Sequence, residues 1–131
     1  MFLPMPDVDQ AFVDFIDSHP SLTPLHGGRV GTRLAAGSLT SVRIASLGGG
    51  QPWPWEASPE YQVEWWGGDQ SQAKLLARTG ESVLWEFLGP ITGGRVTGVA
   101  IPLSQLWSPD ETTDRARFLT QASFNVFPEA S

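Results

Sequence analysis

The stretch Glu60-Tyr61-Gln62-Val63-Glu64-Trp65-Trp66-Gly67-Gly68, running on from Asp69 to Leu88, decides the fold. Its first half alternates: Tyr61, Val63 and Trp65 fall on one side of an extended chain, and Gln62, Glu64 and Trp66 on the other. Its second half changes period. Ala73, Leu76, Ala77, Gly80, Val83, Leu84 and Phe87 recur at helical spacing, which predicts an amphipathic helix of about four turns. Asp69 with Gln72 three residues on has the capping-box pattern that opens such a helix, and Gly89-Pro90 closes it. Gly80 inside the apolar stripe is about 1 kcal/mol worse than Ala in a helix, so a close backbone approach is expected there. A strand that turns through glycines into a helix, both with one apolar side, is a core-building unit. Glu64 in this setting reads as a solvated strand carboxylate, because no second carboxylate or histidine is placed opposite it.

Upstream, Val8, Ala11, Phe12, Phe15 and Ile16 form one face of a helix from Asp7 to Ser18, again with a cap, Asp7, and a glutamine, Gln10. His19-Pro20 ends it, since the residue before proline is pushed out of the helical region. Asp9, Asp14 and Asp17 lie off the apolar stripe, and residues 1–28 carry four acids and no Lys or Arg, so this surface is acidic. It is either a solvated helix face or a contact for basic residues of a neighbour. Arg29 to Leu34 and Ser41 to Leu47 alternate as strands around a turn at 35–38, and a hairpin is the economical reading.

Residues 48–58, Gly-Gly-Gly-Gln-Pro-Trp-Pro-Trp-Glu-Ala-Ser, read as a loop that projects Trp53 and Trp55. The glycine run lacks the Lys and Ser or Thr of a phosphate cradle. The two indoles suit a protein contact, core packing or stacking on a ligand. Beyond the second helix, Arg95 to Ile101 reads as a strand, Ser108 to Asp114 as a turn or loop, and Arg115 to Phe127 as a long amphipathic strand with Ala116, Phe118, Thr120, Ala122, Phe124 and Val126 on its apolar side. The order helix, strands, helix, strands predicts an α+β class: one domain of two layers, a mainly antiparallel sheet with two helices packed on one face.

Length and composition agree with that size of core. The chain has 131 residues, 40% of them hydrophobic, with six Trp and seven Phe. There is no Cys, which removes disulfides, thiol catalysis and thiolate metal sites. His19 and His26 lack the ligand spacing of a zinc site, no serine sits in a hydrolase elbow, and the acids at 110–114 lack the pattern of a calcium loop. No metal, no cofactor and no catalytic activity are expected. The N-terminus does not read as a secretory signal and no run is long enough for a membrane span, so a soluble protein made in the cytoplasm is expected. A net charge of −6 argues against a basic reader of nucleic acid. Six of the eight basic residues, Arg29, Arg33, Arg43, Arg95, Arg115 and Arg117, lie in or beside expected strands, whereas the acids gather on the first helix, in the strand-to-helix unit and in the loop at 110–114. Where one face of a subunit meets a different face of the next, such a division supplies complementary partners.

Several motifs in order resemble the tail terminator, or tail-completion, proteins of long-tailed bacteriophages, over nearly the whole chain. They are Pro6-Asp7-Val8, Arg29-Val30-Gly31-Thr32-Arg33-Leu34, Val42-Arg43-Ile44 before the glycine run, Val63-Glu64-Trp65-Trp66-Gly67, Val96-Thr97-Gly98-Val99, Leu106-Trp107-Ser108-Pro109-Asp110 and Arg115-Ala116-Arg117-Phe118. The Pro52 to Trp55 stretch departs from that pattern. The resemblance implies a structural protein of the virion, located at the head-proximal end of the tail and made in the host cytoplasm. It implies a homohexameric ring that stops growth of the tail tube and touches the major tail tube protein below and the head–tail connector (stopper) protein above. Genomic DNA would pass through the lumen without being held, and no membrane is involved. Trp53, Trp55, Trp107, Asp110, Arg43, Arg115 and Arg117 are the candidate interface residues under this reading. Two alternatives from other classes stay open: an acidic protein-binding module, such as an immunity or anti-defence protein masking a basic partner, and a small enzyme or sugar binder using Trp53 and Trp55.

Overall fold

A computed structural model describes residues 2–33 and 40–130. Helix α1 (Val8–Ser18) starts where Asp7 accepts the Gln10 amide at 3.1 Å, and stops at His19, whose backbone is extended ahead of Pro20. A one-turn helix α2 (Thr23–His26) follows, with Pro24 in its first turn and Gly27 at φ 58° as its left-handed cap. Strand β1 (Val30–Gly31) leads to β2 (Ser41–Trp53) and β3 (Glu56–Gly67). Helix α3 (Gln70–Leu84) is capped by Asp69, which accepts the Gln72 amide at 2.8 Å, while the Gln72 side chain accepts from the Gly68 amide at 3.0 Å. Strands β4 (Gly89–Ile91), β5 (Gly94–Trp107) and β6 (Ala116–Pro128) complete the chain.

The six strands form one sheet in the order β1-β2-β3-β6-β5-β4. Four of its ladders are antiparallel; β1 and β2 run parallel, with Val30 opposite Val42 and Gly31 opposite Arg43. The class is therefore α+β, but with three helices among the described residues where two are expected from periodicity. A single turn such as Thr23 to His26 is too short to show a 3.6-residue stripe.

One side of the sheet carries the core. Tyr61, Val63 and Trp65 of β3 lie beside Ala122, Thr120 and Phe118 of β6 in register, and all are buried. Phe12 of α1 rests on Tyr61 and Phe124, with ring centroids 5.1 and 4.9 Å apart. A Cβ on Gly80 of α3 would overlap the six-membered ring of Trp65, so the expected close approach is present and has a named partner. Trp65 Nε1 donates to Thr120 Oγ1 at 2.9 Å, which in turn donates to the buried Glu81 carboxylate of α3 at 2.6 Å. Both long helices thus cover the same face, as the two apolar stripes require.

Four local expectations change. The strands read at 29–34 and 41–47 do not form a hairpin, because their described parts run in the same direction; a tight turn would reverse the chain. The turn at 35–38 and the end of the first strand at Leu34 lie outside the described residues. Residues 48–58 are not a loop but the outer half of a long β2–β3 hairpin, paired through Gly48–Glu60, Gly49–Pro59, Gly50–Ser58 and Trp53–Glu56. Likewise the strand read as ending at Ile101 continues as β5 to Trp107, and the loop expected at 108–114 falls in the link between Trp107 and Ala116. Helix α3 ends at Leu84, and Gly89-Pro90-Ile91, read as a helix stop, forms β4 and pairs back on Gly94 to Val96.

Candidate functional site

The seven candidate residues fall into two groups at opposite ends of the sheet. Trp53 and Trp55 flank Pro54 at the tip of the β2–β3 hairpin. Their rings stack at 5.5 Å with planes 9° apart, and both remain about half exposed. Phe2, itself exposed, sits 6.3 Å from Trp55. The tip is thus an apolar end-piece, neither folded back into the core nor spread to accept a ring between its indoles. Of the three roles open in sequence, core packing is removed by this exposure.

The second group lies at the far end of β3. The twelve residues from Trp55 to Trp66 span up to about 35 Å when extended. There, on the sheet face opposite the helices, Arg43 Nη1 meets Glu64 Oε2 at 2.6 Å, and Trp66 Nε1 donates to Glu64 Oε1 at 3.1 Å. The guanidinium carbons of Arg115 and Arg117 stand 4.8 and 5.1 Å from the Trp66 ring centre. Arg117 also donates to the Ser108 carbonyl at 2.8 Å and to its hydroxyl at 3.2 Å, tying the β5–β6 link to the cluster. Asp110 pairs with Arg115 through the backbone. The Thr113 hydroxyl donates to its carboxyl and holds that group below the usual carboxylate range. Trp107, half exposed, lies instead on the helix side, its ring 4.9 Å from Phe118. Arg43, Arg115, Arg117 and Asp110 are therefore brought together, Trp107 is adjacent but on the other face, and Trp53 with Trp55 is remote.

Glu64 is the correction in this region. It is buried, not solvated, because arginines from β2 and β6 roof the face that alternation alone assigns to water. Alternation reads which side a residue takes; it does not read what long side chains from neighbouring strands lay over that side. Arg–Glu pairing across β2 and β3 is charge-assisted and fixes the Arg43 head.

Other chemistry is limited. His26 is buried, with Nδ1 accepting from the Gly28 amide at 2.9 Å and Nε2 facing the Ile16 carbonyl at 3.0 Å, so both ring nitrogens serve the α1–α2 junction. His19 Nε2 lies 3.4 Å from the exposed Glu86. Among the described residues no group of three or more His, Cys, Asp or Glu is placed to hold a metal ion. Tyr61 donates to Asp9, and burial, aided by that bond and by the charges of Asp9 and Asp7, raises its ionisation above the ordinary tyrosine value. No helix among the described residues is long and apolar enough to cross a membrane.

One polar feature escapes the sequence reading. Lys74 and Arg78, the two basic residues off the strands, sit one turn apart on the outer face of α3 beside Phe118. Their spacing with no acidic residue at the neighbouring helical positions Gln70 and Ser82 is the signal that marks them. No protein-family model matches the chain, and no curated protein matches it.

Proposed function

We propose that the chain is a structural protein of a phage virion that assembles into a ring, hexameric by resemblance, to cap the tail tube and join it to the head connector. The observation that carries this reading is the separation of two contact-grade surfaces by one rigid sheet. A stacked, exposed tryptophan pair occupies one end, and three half-buried arginines, Arg43, Arg115 and Arg117, laid over the buried Trp66 and Glu64, occupy the other. A protein that must touch one partner below and another above needs that separation, and Trp and Arg are the side chains that dominate contact energies. In this reading the two long helices over one sheet face form the scaffold, and the mainly antiparallel sheet sets the distance between the ends. The partners are further copies of the chain, the tail tube protein and the connector (stopper) protein. DNA passes an acidic lumen that repels phosphates, in keeping with the net charge of −6. The protein has no catalytic role, needs no cofactor and resides at the head-proximal end of the tail.

The test combines light scattering and negative-stain imaging of the purified protein with addition to tubes polymerised from the cognate tube protein. Rings that seat on tube ends and stop elongation are expected. A monomer that leaves tube growth unchanged at every concentration would sink the reading. Trp53→Ala with Trp55→Ala is expected to keep the fold and lose joining.

A second reading has its own supporting observation. The exposed acids Asp9, Asp14 and Asp17 of α1 form a surface without a basic residue, which suits a module that masks a basic partner. It predicts a monomer that binds one basic protein with one-to-one stoichiometry and loses that binding when α1 is neutralised.

A further inference from the structure

Helix α3 and the start of β6 enclose an open cleft of ≈ 460 Å³ lined by Gln70, Ser71, Lys74, Leu75, Arg78 and Phe118. Its floor is the buried Phe118 ring, over which Lys74 Nζ stands at 5.0 Å. Leu75 at its rim is 48% exposed, an apolar side chain on the outer face of a helix that gains nothing there unless something covers it. Among the described residues neither Lys74 nor Arg78 enters an ion pair, although the chain carries fourteen acids. The acids are elsewhere. On α1, Asp14 and Asp17 are exposed, one turn apart, and likewise outside any ion pair among the described residues. Within one molecule the two sets do not meet: α1 reaches α3 beyond its far end, where His19 faces Glu86, and Lys74 lies about 15 Å back along the helix from Leu84.

Two bases one helical turn apart match two acids one helical turn apart, none of the four in an ion pair among the described residues and Asp14 held by the Gln10 side-chain amide at 2.8 Å, provided that the helices come from different molecules. We propose that the α3 cleft is the acceptor half of a head-to-tail contact between copies of this chain, and that the acidic face of α1, through Asp14 and Asp17, is the donor half. The contact is heterologous, since the donor and acceptor are different surfaces, so repetition of it closes a ring or extends a filament but does not stop at a two-fold dimer. The inference rests on the ring reading and gives that ring its subunit joint. The charges set direction and register, and Leu75 with Phe118 supplies the apolar floor that the approaching helix dries.

A charge swap tests it. Size-exclusion chromatography with light scattering compares the wild type, a cleft variant (Lys74→Glu with Arg78→Glu), a helix variant (Asp14→Lys with Asp17→Lys) and their equimolar mixture, each checked for fold by circular dichroism. All four positions are exposed, and a milder pair, Lys74→Gln with Arg78→Gln, stands in if the reversal disturbs the fold. The wild type is expected to assemble, and each variant to weaken self-association at least about tenfold, because like charges then face each other. The mixture is expected to recover assembly with the two variants alternating. Variants that assemble as the wild type does, a mixture that stays apart, or a wild type that remains monomeric at millimolar concentration would each overturn the contact. Tube capping is scored separately. If all variants form rings and cap tubes, the joint is wrong and the tail-capping reading stands; if the swap behaves as expected and tubes are never capped, the joint stands and the tail-capping reading fails.

Discussion

At the scale of single residues, Gly80 shows how a locally unfavourable choice follows from packing. Alanine would improve helix propensity by about 1 kcal/mol. Its methyl would overlap the ring of Trp65, a buried side chain held by its bond to Thr120, so the ring has no free direction in which to retreat. Overpacking of this kind costs about 1–3 kcal/mol, which exceeds the propensity gain. Gly80→Ala is therefore expected to lower the denaturant midpoint with an unchanged slope in equilibrium unfolding. Tyr61 gives a pH signature. Its ionisation is raised in the folded chain, so above about pH 10 the unfolded chain loses a proton that the folded chain keeps. The folded state then binds more protons, and stability falls as pH rises through that region. Tyr61→Phe should flatten this alkaline decline in a melt-against-pH series, at the loss of about 1 kcal/mol near neutrality from the missing bond to Asp9.

At the scale of elements, the register shift of β5 on β6 between Leu103 and Leu106 is held by α3. Glu81 accepts from Ser104 Oγ at 2.6 Å, from the Gln105 amide at 2.7 Å and from Thr120 Oγ1 at 2.6 Å, and Gln105 holds a positive φ of 43° there. Glu81→Ala removes a buried acceptor of four hydrogen bonds, the fourth from Gln105 Nε2 at 3.3 Å, and a loss of about 3 kcal/mol is expected. Amide exchange should show Gln105 losing protection ahead of the core strands. The sequence pattern was readable where one face is buried and the other is not. Strand β6 alternates buried and less buried positions from Ala116 to Val126 as its side chains predict, and both long helices begin at their aspartate caps. It was unreadable where pairing overrides composition. Gly48 to Pro52 has poor strand propensity and joins β2 because β3 runs beside it, with Gly48 and Gly49 at positive φ next to a register shift, and Pro102 is tolerated in β5 because β4 covers only Gly94 to Val96 on that edge. The exposure of Trp53 and Trp55 was among the sequence alternatives. Their stacking on each other, and the burial of Glu64 under arginines, depend on contacts between strands that spacing along one strand does not contain.

At the scale of the whole molecule, charge is uneven: α1 carries Asp9, Asp14 and Asp17 and no base, Arg43, Arg115 and Arg117 gather around Glu64 on the sheet face opposite the helices, and α3 exposes Lys74 and Arg78. Contacts built on exposed charges are screened within about 8 Å at physiological ionic strength. Assembly of the proposed ring should therefore weaken steadily as salt is raised, measured by light scattering, whereas the melting temperature of the separated subunit should change little. The indoles provide a way to follow both events without a label. Trp65 and Trp66 are buried, while Trp53, Trp55, Trp85 and Trp107 are exposed, so unfolding shifts emission from the first pair and surface contacts quench or shift the others. The hairpin tip offers a still narrower signal. Two parallel indoles 5.5 Å apart couple their electronic transitions, and the resulting paired circular-dichroism bands report one geometry at one place. A partner that wedges the rings apart would erase those bands, and one that clamps them as a unit would preserve them. The tip thereby carries its own optical gauge of how it is gripped.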